Sequence, residues 1–170
     1  MGQEFAIGSH VVYGKTGVCL LTAKQILTVG GNSEEYYVLL PISDPRSSVY
    51  VPCANPLLTA RLRPLLTREQ IEAILDGVDD TSMEWLDDRT ERQVAFRRIM
   101  GSDDRLQLIR MIRCLYCKKQ EKTAAGKRLS TMDETTLQDA VRQLEEEFST
   151  ALGISRSGVS AYIRTRIEGE

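Results

Sequence analysis

Residues 18–40 read VCLLTAKQILTVGGNSEEYYVLL, which is two β-prone runs on either side of a short turn. The turn is Gly30-Gly31-Asn32-Ser33, and residues of these types between apolar runs are typical of a β-hairpin. A shorter β-prone run, His10–Tyr13, precedes the hairpin. Another, Val49–Val51, follows it and ends at Pro52, because proline cannot donate to a strand ladder. Four or five short strands in about 60 residues predict a small SH3-like or Tudor-like β-barrel.

The pattern changes to helical periodicity at Pro64-Leu-Leu-Thr67. Thr67 with Gln70 forms a capping box, the signature of a helix start. Five helices are predicted after this point: 68–76, one opened by Thr81 with Glu84 and ending near Met100, about 103–120 after Ser102, one opened by Thr131 and closed by Gly153, and about 156–167. The fold class is therefore α+β in two domains, a β-barrel over 1–65 and an all-α bundle over 66–170.

Composition excludes several classes of protein. The chain has 170 residues, of which 42% are apolar and 27% are charged, as in ordinary globular proteins. No apolar run approaches the roughly 18 residues of a membrane span, and the first residues lack a secretory pattern. Four cysteines are too few for a disulfide framework in a chain of this size, so we expect a cytoplasmic protein without a membrane partner.

Charge is distributed unevenly along the chain. The net charge is −2, yet residues 89–128 carry 12 Lys and Arg against four acidic residues. A basic block between acidic flanks is typical of a protein that binds a polyanion. A solvated helical surface gives the same pattern, so charge alone leaves both interpretations open.

Motifs of enzymes are missing from the sequence. His10 is the only histidine, and it falls in a predicted strand. There is no GxSxG, P-loop, GxGxxG or HExxH motif. We therefore expect no catalytic residues, no cofactor, no metal and no small-molecule substrate.

Cys114 and Cys117 form a CxxC motif in the middle of a predicted helix. A redox CxxC sits at a helix N-terminus, where the helix dipole stabilises the thiolate. A zinc site needs two more ligands, and the other cysteines, Cys19 and Cys53, belong to the β domain. Structural cysteines are the favoured interpretation. A thiol or metal protein built on this motif is kept as an alternative.

The single tryptophan, Trp85, falls in the first turn of the second predicted helix. On that helix Trp85, Arg89 and Arg92 stand at i, i+4 and i+7, and Phe96 and Ile99 continue the stripe. In one interpretation the stripe is core and the arginines extend past the ring. In the other the Trp85 end projects, and its guanidinium groups hold phosphates while the ring meets bases. The spacing leaves both open.

Several short motifs follow one another in a distinctive order. In the first half they are Phe5-Ala-Ile-Gly8, Val11-Val-Tyr13, Gly17-Val18, Glu35-Tyr36-Tyr37-Val38-Leu39, Val49-Tyr50-Val51-Pro52, Asn55 and Leu62-Arg63-Pro64. In the second half they are Trp85, Ser102-Asp103, Met111-Ile-Arg-Cys-Leu115 and Leu129-Ser130 ahead of acidic residues. With these motifs the chain, over about residues 5–155, resembles the CarD/CdnL family of bacterial transcription regulators.

The resemblance implies a function and its residues. It implies a Tudor-like domain that docks on the RNA polymerase β subunit and a helical domain that touches promoter DNA at the upstream edge of the melted region. Trp85 is then a wedge in the minor groove that stabilises the open complex, with low sequence specificity. The implied DNA-backbone contacts are Arg89, Arg92, Arg97 and Arg98. The implied polymerase contacts are Lys24, Leu27, Val49, Tyr50, Val51 and Pro52.

The sequence departs from the family at two places. Leu27 and Tyr50 stand where family members often carry arginines, so we expect docking by edge-strand pairing and apolar contact more than by ion pairs. Asp87 and Asp88 stand where basic residues are expected, which shifts phosphate contact to Arg89 and beyond. A protein-interaction adaptor without DNA contact is the further alternative.

Overall fold

The structure of the protein is a computed structural model that describes residues 4–78 and 83–168. The chain divides into two units, Met1–Leu65 and Leu66–Glu170, and the division falls within the stretch Pro64-Leu-Leu-Thr67. The first unit holds an antiparallel sheet and the second holds helices. The predicted order of strands followed by helices is confirmed.

Five antiparallel strands form the sheet of the first unit, in the spatial order β4-β3-β2-β1-β5. They are β1 (His10–Tyr13), β2 (Gly17–Val29), β3 (Asn32–Pro41), β4 (Val49–Pro52) and β5 (Leu62–Pro64), with the short helix α1 (Pro56–Thr59) between β4 and β5. Strands β4 and β5 are the edges, and within residues 4–78 no pairing joins them into a closed barrel.

Strands β2 and β3 form the long hairpin predicted from the Gly30-Gly31 turn. Val29 pairs with Asn32, so the two glycines are the whole loop, and their φ angles are 61° and 83°. A two-residue type I′ turn needs this left-handed backbone at both positions, which is why glycine is favoured there. A bulge interrupts the register after Leu21 and lets the long strands twist.

One face of this sheet carries the core of the first unit. Because side chains alternate along a strand, Cys19 and Leu21 of β2 face the same side as Leu39 of β3 and Val51 of β4. All four are buried. The buried cluster consists of Val11, Cys19, Leu21, Tyr37, Leu39, Val51 and Leu62.

Five helices follow among the described residues: α2 (Arg68–Asp76), α3 (Arg89–Gly101), α4 (Arg105–Ala124), α5 (Thr131–Leu152) and α6 (Arg156–Glu168). The predicted capping box is present at α2. The Thr67 hydroxyl accepts from the Gln70 N–H at 3.1 Å, and the Gln70 side chain accepts from the Thr67 N–H at 2.9 Å. Gly77 follows the last turn of α2, as predicted.

Helix α3 begins later than the sequence predicts. The carboxylate of Asp88 accepts from the Glu91 N–H at 2.9 Å and so caps a helix that begins at Arg89. Residues 83–88 are not helical, and the predicted start at Thr81 lies outside the described residues. Asp88, which stands where the resemblance leads us to expect a basic residue, is thus the N-cap of α3.

This late start corrects the expected position of the tryptophan. Trp85 precedes α3 and does not lie in its first turn. The prediction that Trp85, Arg89 and Arg92 share one helical face is therefore wrong, because the face begins only at Arg89.

Two other helix starts shift by one or two residues. Asp104, not Ser102, caps α4 by accepting from the Gln107 N–H at 3.1 Å, and Ser102 instead ends α3. Ser130 caps α5, where Thr131 is the predicted cap. Each replacement is another residue whose side chain accepts from a first-turn N–H, so the helices themselves stand as predicted.

The helical unit has an apolar core and a buried ion pair. The core centres on Phe148 of α5 and on Met111 and Leu115 of α4, all fully buried. Beside it the Arg105 Nε donates to the Glu147 carboxylate at 2.8 Å. The same carboxylate accepts from the Leu66 N–H at 3.2 Å. Removing one member of such a buried pair leaves an uncompensated charge.

Candidate functional site

The indole of Trp85 lies half-buried in the segment that leads into α3. It packs on the helical core, with its ring centroid 6.4 Å from that of Phe96 and the ring planes inclined by 59°. The residue as a whole is partly exposed to solvent. The ring is therefore anchored to the core without being sealed inside it. This position is intermediate between the two interpretations of the sequence, a core tryptophan and a projecting one.

Arg92 of α3 is buried, with 7% of its surface exposed. Its Nε and Nη2 donate to the two carboxylate oxygens of Asp133 at 3.1 and 3.0 Å. Its Nη1 donates to the backbone carbonyls of Leu86 and Asp87 at 2.9 and 3.2 Å. These bonds use four of the five N–H groups of a guanidinium. The expected contact of Arg92 with the DNA backbone is therefore contradicted, because these donors bond to the protein itself.

Two cations stand over the Trp85 ring. The Arg92 Cζ is 4.4 Å from the ring centroid, and the Lys118 Nζ of α4 is 5.3 Å from it. Both distances are in the range of cation–π attraction. Sequence reasoning missed Lys118, since its contact with the ring is tertiary. The only signal that includes Lys118 is the basic block at residues 89–128.

The other predicted DNA contacts, Arg89, Arg97 and Arg98, are exposed on α3. At 3.6 residues per turn, Arg89 lies about 60° from Arg92 around the helix, and Arg97 and Arg98 lie about 140° and 120° from it. Arg89 is also close to Trp85 along the chain. The structure thus brings Lys118 to the indole, and it leaves Arg89, Arg97 and Arg98 exposed on α3, with Arg89 on the side nearest to Arg92.

The residues expected to meet the polymerase fall on two faces of the sheet. Strand pairing places Tyr50 opposite Val38 and Pro52 opposite Tyr36. The alternation along β2 adds Leu27 to that same face, which we call the outer face. Leu27 and Pro52 are half-buried there and Tyr50 is 49% exposed, so an apolar surface faces outward.

Lys24, Val49 and Val51 lie on the opposite, core-side face. Val51 is fully buried, so a docking contact through its side chain is contradicted by its place in the core. Val49 packs partly against the same cluster. The Lys24 Nζ is 3.3 Å from the Glu35 carboxylate, and this bond and charge raise the pKa of the Lys24 ammonium.

Strand β4 offers a free hydrogen-bonding edge. The Cys53 N–H donates to the Glu35 carbonyl at 2.9 Å, so the odd-numbered residues of β4 bond to β3. The N–H and C=O of Tyr50 consequently point away from β3. Pro52 has no N–H, and its carbonyl accepts from the Asn55 N–H. Among the described strands none pairs with this side of β4, and its open edge centres on Tyr50.

Residues 5–65 match the family model described as the CarD-like/TRCF RID domain. Over this stretch the first unit is similar to CarD-like/TRCF RID domains. The match covers the whole sheet and is consistent with a CarD-like family member, as the order of the sequence motifs predicts. The comparison with curated proteins gave no match.

The RID is an RNA polymerase-interacting domain, which indicates an RNA polymerase-interacting transcription factor. The outer face and the free edge of β4 lie within the matched residues. Trp85 and helices α2 to α6 lie beyond the matched region.

The CxxC motif lies in the middle of α4, as predicted. Cys114 is buried and Cys117 is exposed, and burial raises the pKa of the Cys114 thiol. A reactive thiol requires the opposite shift. Residues 4–78 and 83–168 contain no group of three or more His, Cys, Asp or Glu placed to hold a metal ion. In the same ranges no helix has the length and apolar character to cross a membrane.

Proposed function

We propose that this chain is a transcription factor that docks on the RNA polymerase β subunit through its RID and on promoter DNA through its helical unit. Trp85 wedges into the minor groove at the upstream edge of the melted region and stabilises the open complex. The protein acts by binding and not by catalysis, and it needs no cofactor, metal or small-molecule substrate.

Docking is supported by the RID match and by the shape of β4. A strand added at a free edge supplies main-chain hydrogen bonds, and side chains on one face supply specificity. Tyr50 offers both, with an outward N–H and C=O and a half-exposed ring on the outer face. Leu27 and Pro52 extend that face. In this arrangement the family's arginines are replaced by apolar contact, so Leu27→Glu is expected to abolish capture of the β subunit.

DNA contact is supported by the composite surface around Trp85. An apolar ring inserted between base steps is the way that minor-groove proteins hold deformed DNA. Lys118 provides positive charge beside the ring for phosphates, and the exposed Arg89, Arg97 and Arg98 add positive charge along α3. Phosphate contacts carry no sequence information, so the proposed specificity is low.

The expected effect on the promoter follows from differential binding. A ligand that prefers open to closed DNA shifts their balance by its difference in affinity for the two. One base–aromatic stack contributes about 1–3 kcal/mol, which is about severalfold to a hundredfold in the lifetime of the bubble. Tethering to polymerase raises the effective concentration, so the helical unit need not bind DNA tightly alone.

The observation that carries this proposal is the partly exposed indole of Trp85 with Lys118 beside it. The experiment measures open-complex half-life on purified polymerase of the source organism, with wild type, Trp85→Ala and Tyr116→Ala. Tyr116 is the matched control, an aromatic residue of α4 that is 46% exposed. We expect Trp85→Ala to lose the stabilisation and keep polymerase binding, and Tyr116→Ala to keep both. An unchanged half-life with Trp85→Ala would defeat the wedge and favour an adaptor without DNA contact.

A further inference from the structure

Arg92 and Asp133 lie next to the proposed DNA surface without belonging to it. We infer that the Arg92–Asp133 pair is a positioning device that fixes the Trp85 indole in the orientation from which it meets DNA. The inference rests on the proposed function for its purpose, although the orientation itself is a property of the protein without DNA.

The hydrogen bonds of Arg92 lead to the segment that carries the ring. Its Nη1 holds the carbonyls of Leu86 and Asp87, the two residues that follow Trp85. Fixing two successive carbonyls fixes the backbone of a segment that has no helical hydrogen bonds of its own. The flat guanidinium then lies 4.4 Å from the ring centroid. One side chain therefore restrains both the backbone next to the indole and the ring.

Asp133 holds the guanidinium in turn. Its two oxygens accept the parallel bonds from Arg92 at 3.1 and 3.0 Å, a fork geometry that fixes the plane of the guanidinium. The Ser130 hydroxyl donates to the same carboxylate at 2.9 Å and accepts from the Asp133 N–H at 3.1 Å. Asp133 is 2% exposed. Ser130 and Asp133 at the start of α5 thus orient the plane of the Arg92 guanidinium, and the guanidinium in turn orients the Trp85 indole.

A purely stabilising role explains this arrangement less well. A buried ion pair is weak evidence for stability, because well-packed apolar residues often replace one at no loss. What apolar residues cannot supply is a planar donor fork that serves a carboxylate, two carbonyls and a ring face at once. Lysine cannot supply it either, since its ammonium is a point charge without a plane.

The second buried pair of the helical unit is a matched control. Arg105 and Glu147 are as deeply buried, and their bond is 2.8 Å long. Glu147 accepts from the Leu66 N–H at 3.2 Å. Neutralising Glu147 leaves a buried arginine without its carboxylate, as neutralising Asp133 does. It is expected to leave the hydrogen bonds beside Trp85 unchanged.

Because Trp85 is the only tryptophan, its fluorescence reports the indole without DNA or polymerase. The experiment measures emission maximum and acrylamide quenching of the full chain as wild type, Asp133→Asn, Arg92→Lys and Glu147→Gln, with thermal unfolding of each. We expect a red shift and stronger quenching in Asp133→Asn and Arg92→Lys. In Glu147→Gln we expect a lower Tm with unchanged emission. If Asp133→Asn or Arg92→Lys does not fold, Ser130→Ala replaces it, because Ser130 is hydrogen-bonded to the Asp133 carboxylate.

The inference is wrong if Asp133→Asn and Arg92→Lys fold and keep the emission maximum and quenching of the wild type. It is also wrong if Glu147→Gln shows an equal red shift. The DNA proposal fails separately. If Trp85→Ala leaves open-complex half-life unchanged while Asp133→Asn shifts the emission, the positioning device stands and the wedge does not. If both the positioning device and the Trp85 wedge are correct, Asp133→Asn also shortens the open-complex half-life, although Lys118 and Arg89 are unchanged.

Discussion

The Lys118 ammonium of α4 lies 5.3 Å from the centre of the Trp85 ring, which precedes α3. Its carboxylate neighbour, Glu121, is 3.6 Å away and well exposed. Ion pairs with one well-exposed partner contribute little, so Glu121 is a weak competitor for the Lys118 ammonium in the proposed DNA contact. Helix α4 thus places a positive charge beside a ring that belongs to another segment of the chain.

Lys118→Ala is expected to weaken binding to bubble DNA because it removes one phosphate contact. The logarithm of the binding constant, plotted against the logarithm of salt concentration, is expected to lose about one unit of slope. Fluorescence anisotropy over a salt series measures both quantities. Arg156→Ala, which removes an exposed cation at the start of α6, is the control and should leave the slope unchanged. Equal slopes for wild type and Lys118→Ala would remove Lys118 from the DNA surface.

Phe148→Ala is expected to destabilise the helical unit by about 3–5 kcal/mol, since the ring is fully buried and leaves a cavity. Urea unfolding followed by circular dichroism measures the loss. Val94→Ala on α3 is the control, because Val94 is 59% exposed, and it should change the free energy of unfolding by less than about 0.5 kcal/mol. A loss below about 1 kcal/mol for Phe148→Ala would contradict the packing described for α5.

Local chemistry made much of the fold predictable. The turn at Gly30-Gly31 specifies the hairpin because the positive φ at both positions favours glycine. The capping box of Thr67 specifies α2 because both of its hydrogen bonds lie within three residues. The apolar stripe of α5, including Leu137, Leu144 and Phe148, is buried as its period predicts. Each of these signals is complete within one short segment.

The site was less predictable because its contacts join distant segments. Helical spacing favours a helix through Trp85, yet Asp88 caps α3 later, and Arg92 holds the preceding carbonyls. No periodicity within α3 shows that Arg92 meets Asp133 of α5. Lys118 was missed for the same reason. The sequence predicted which residue types form the site, whereas their contact partners could be identified only from the tertiary structure.

The two thiols of α4 are expected to react at different rates. Burial raises the pKa of the Cys114 thiol, so less of it is thiolate at neutral pH and its alkylation is expected to be slower. Cys117 is exposed and should be alkylated first. Peptide mapping by mass spectrometry after brief iodoacetamide treatment at several pH values measures the order, with Cys117→Ser as the control. Faster labelling of Cys114 at neutral pH would revive the thiol alternative for this motif.

Substitutions at Tyr50 are expected to separate backbone from side-chain docking. The Tyr50 N–H points away from β3, so Tyr50→Pro removes an outward donor while the odd-numbered residues keep their bonds to the sheet. Tyr50→Thr keeps the donor and removes the ring. If the β subunit adds a strand at this edge, capture of the purified β subunit falls sharply with Tyr50→Pro and only partly with Tyr50→Thr. Leu57→Glu on α1, at a position 80% exposed, should retain capture. Retention by both Tyr50 variants would place the docking surface away from β4, and loss only with Tyr50→Thr would make the ring, not the edge, the contact.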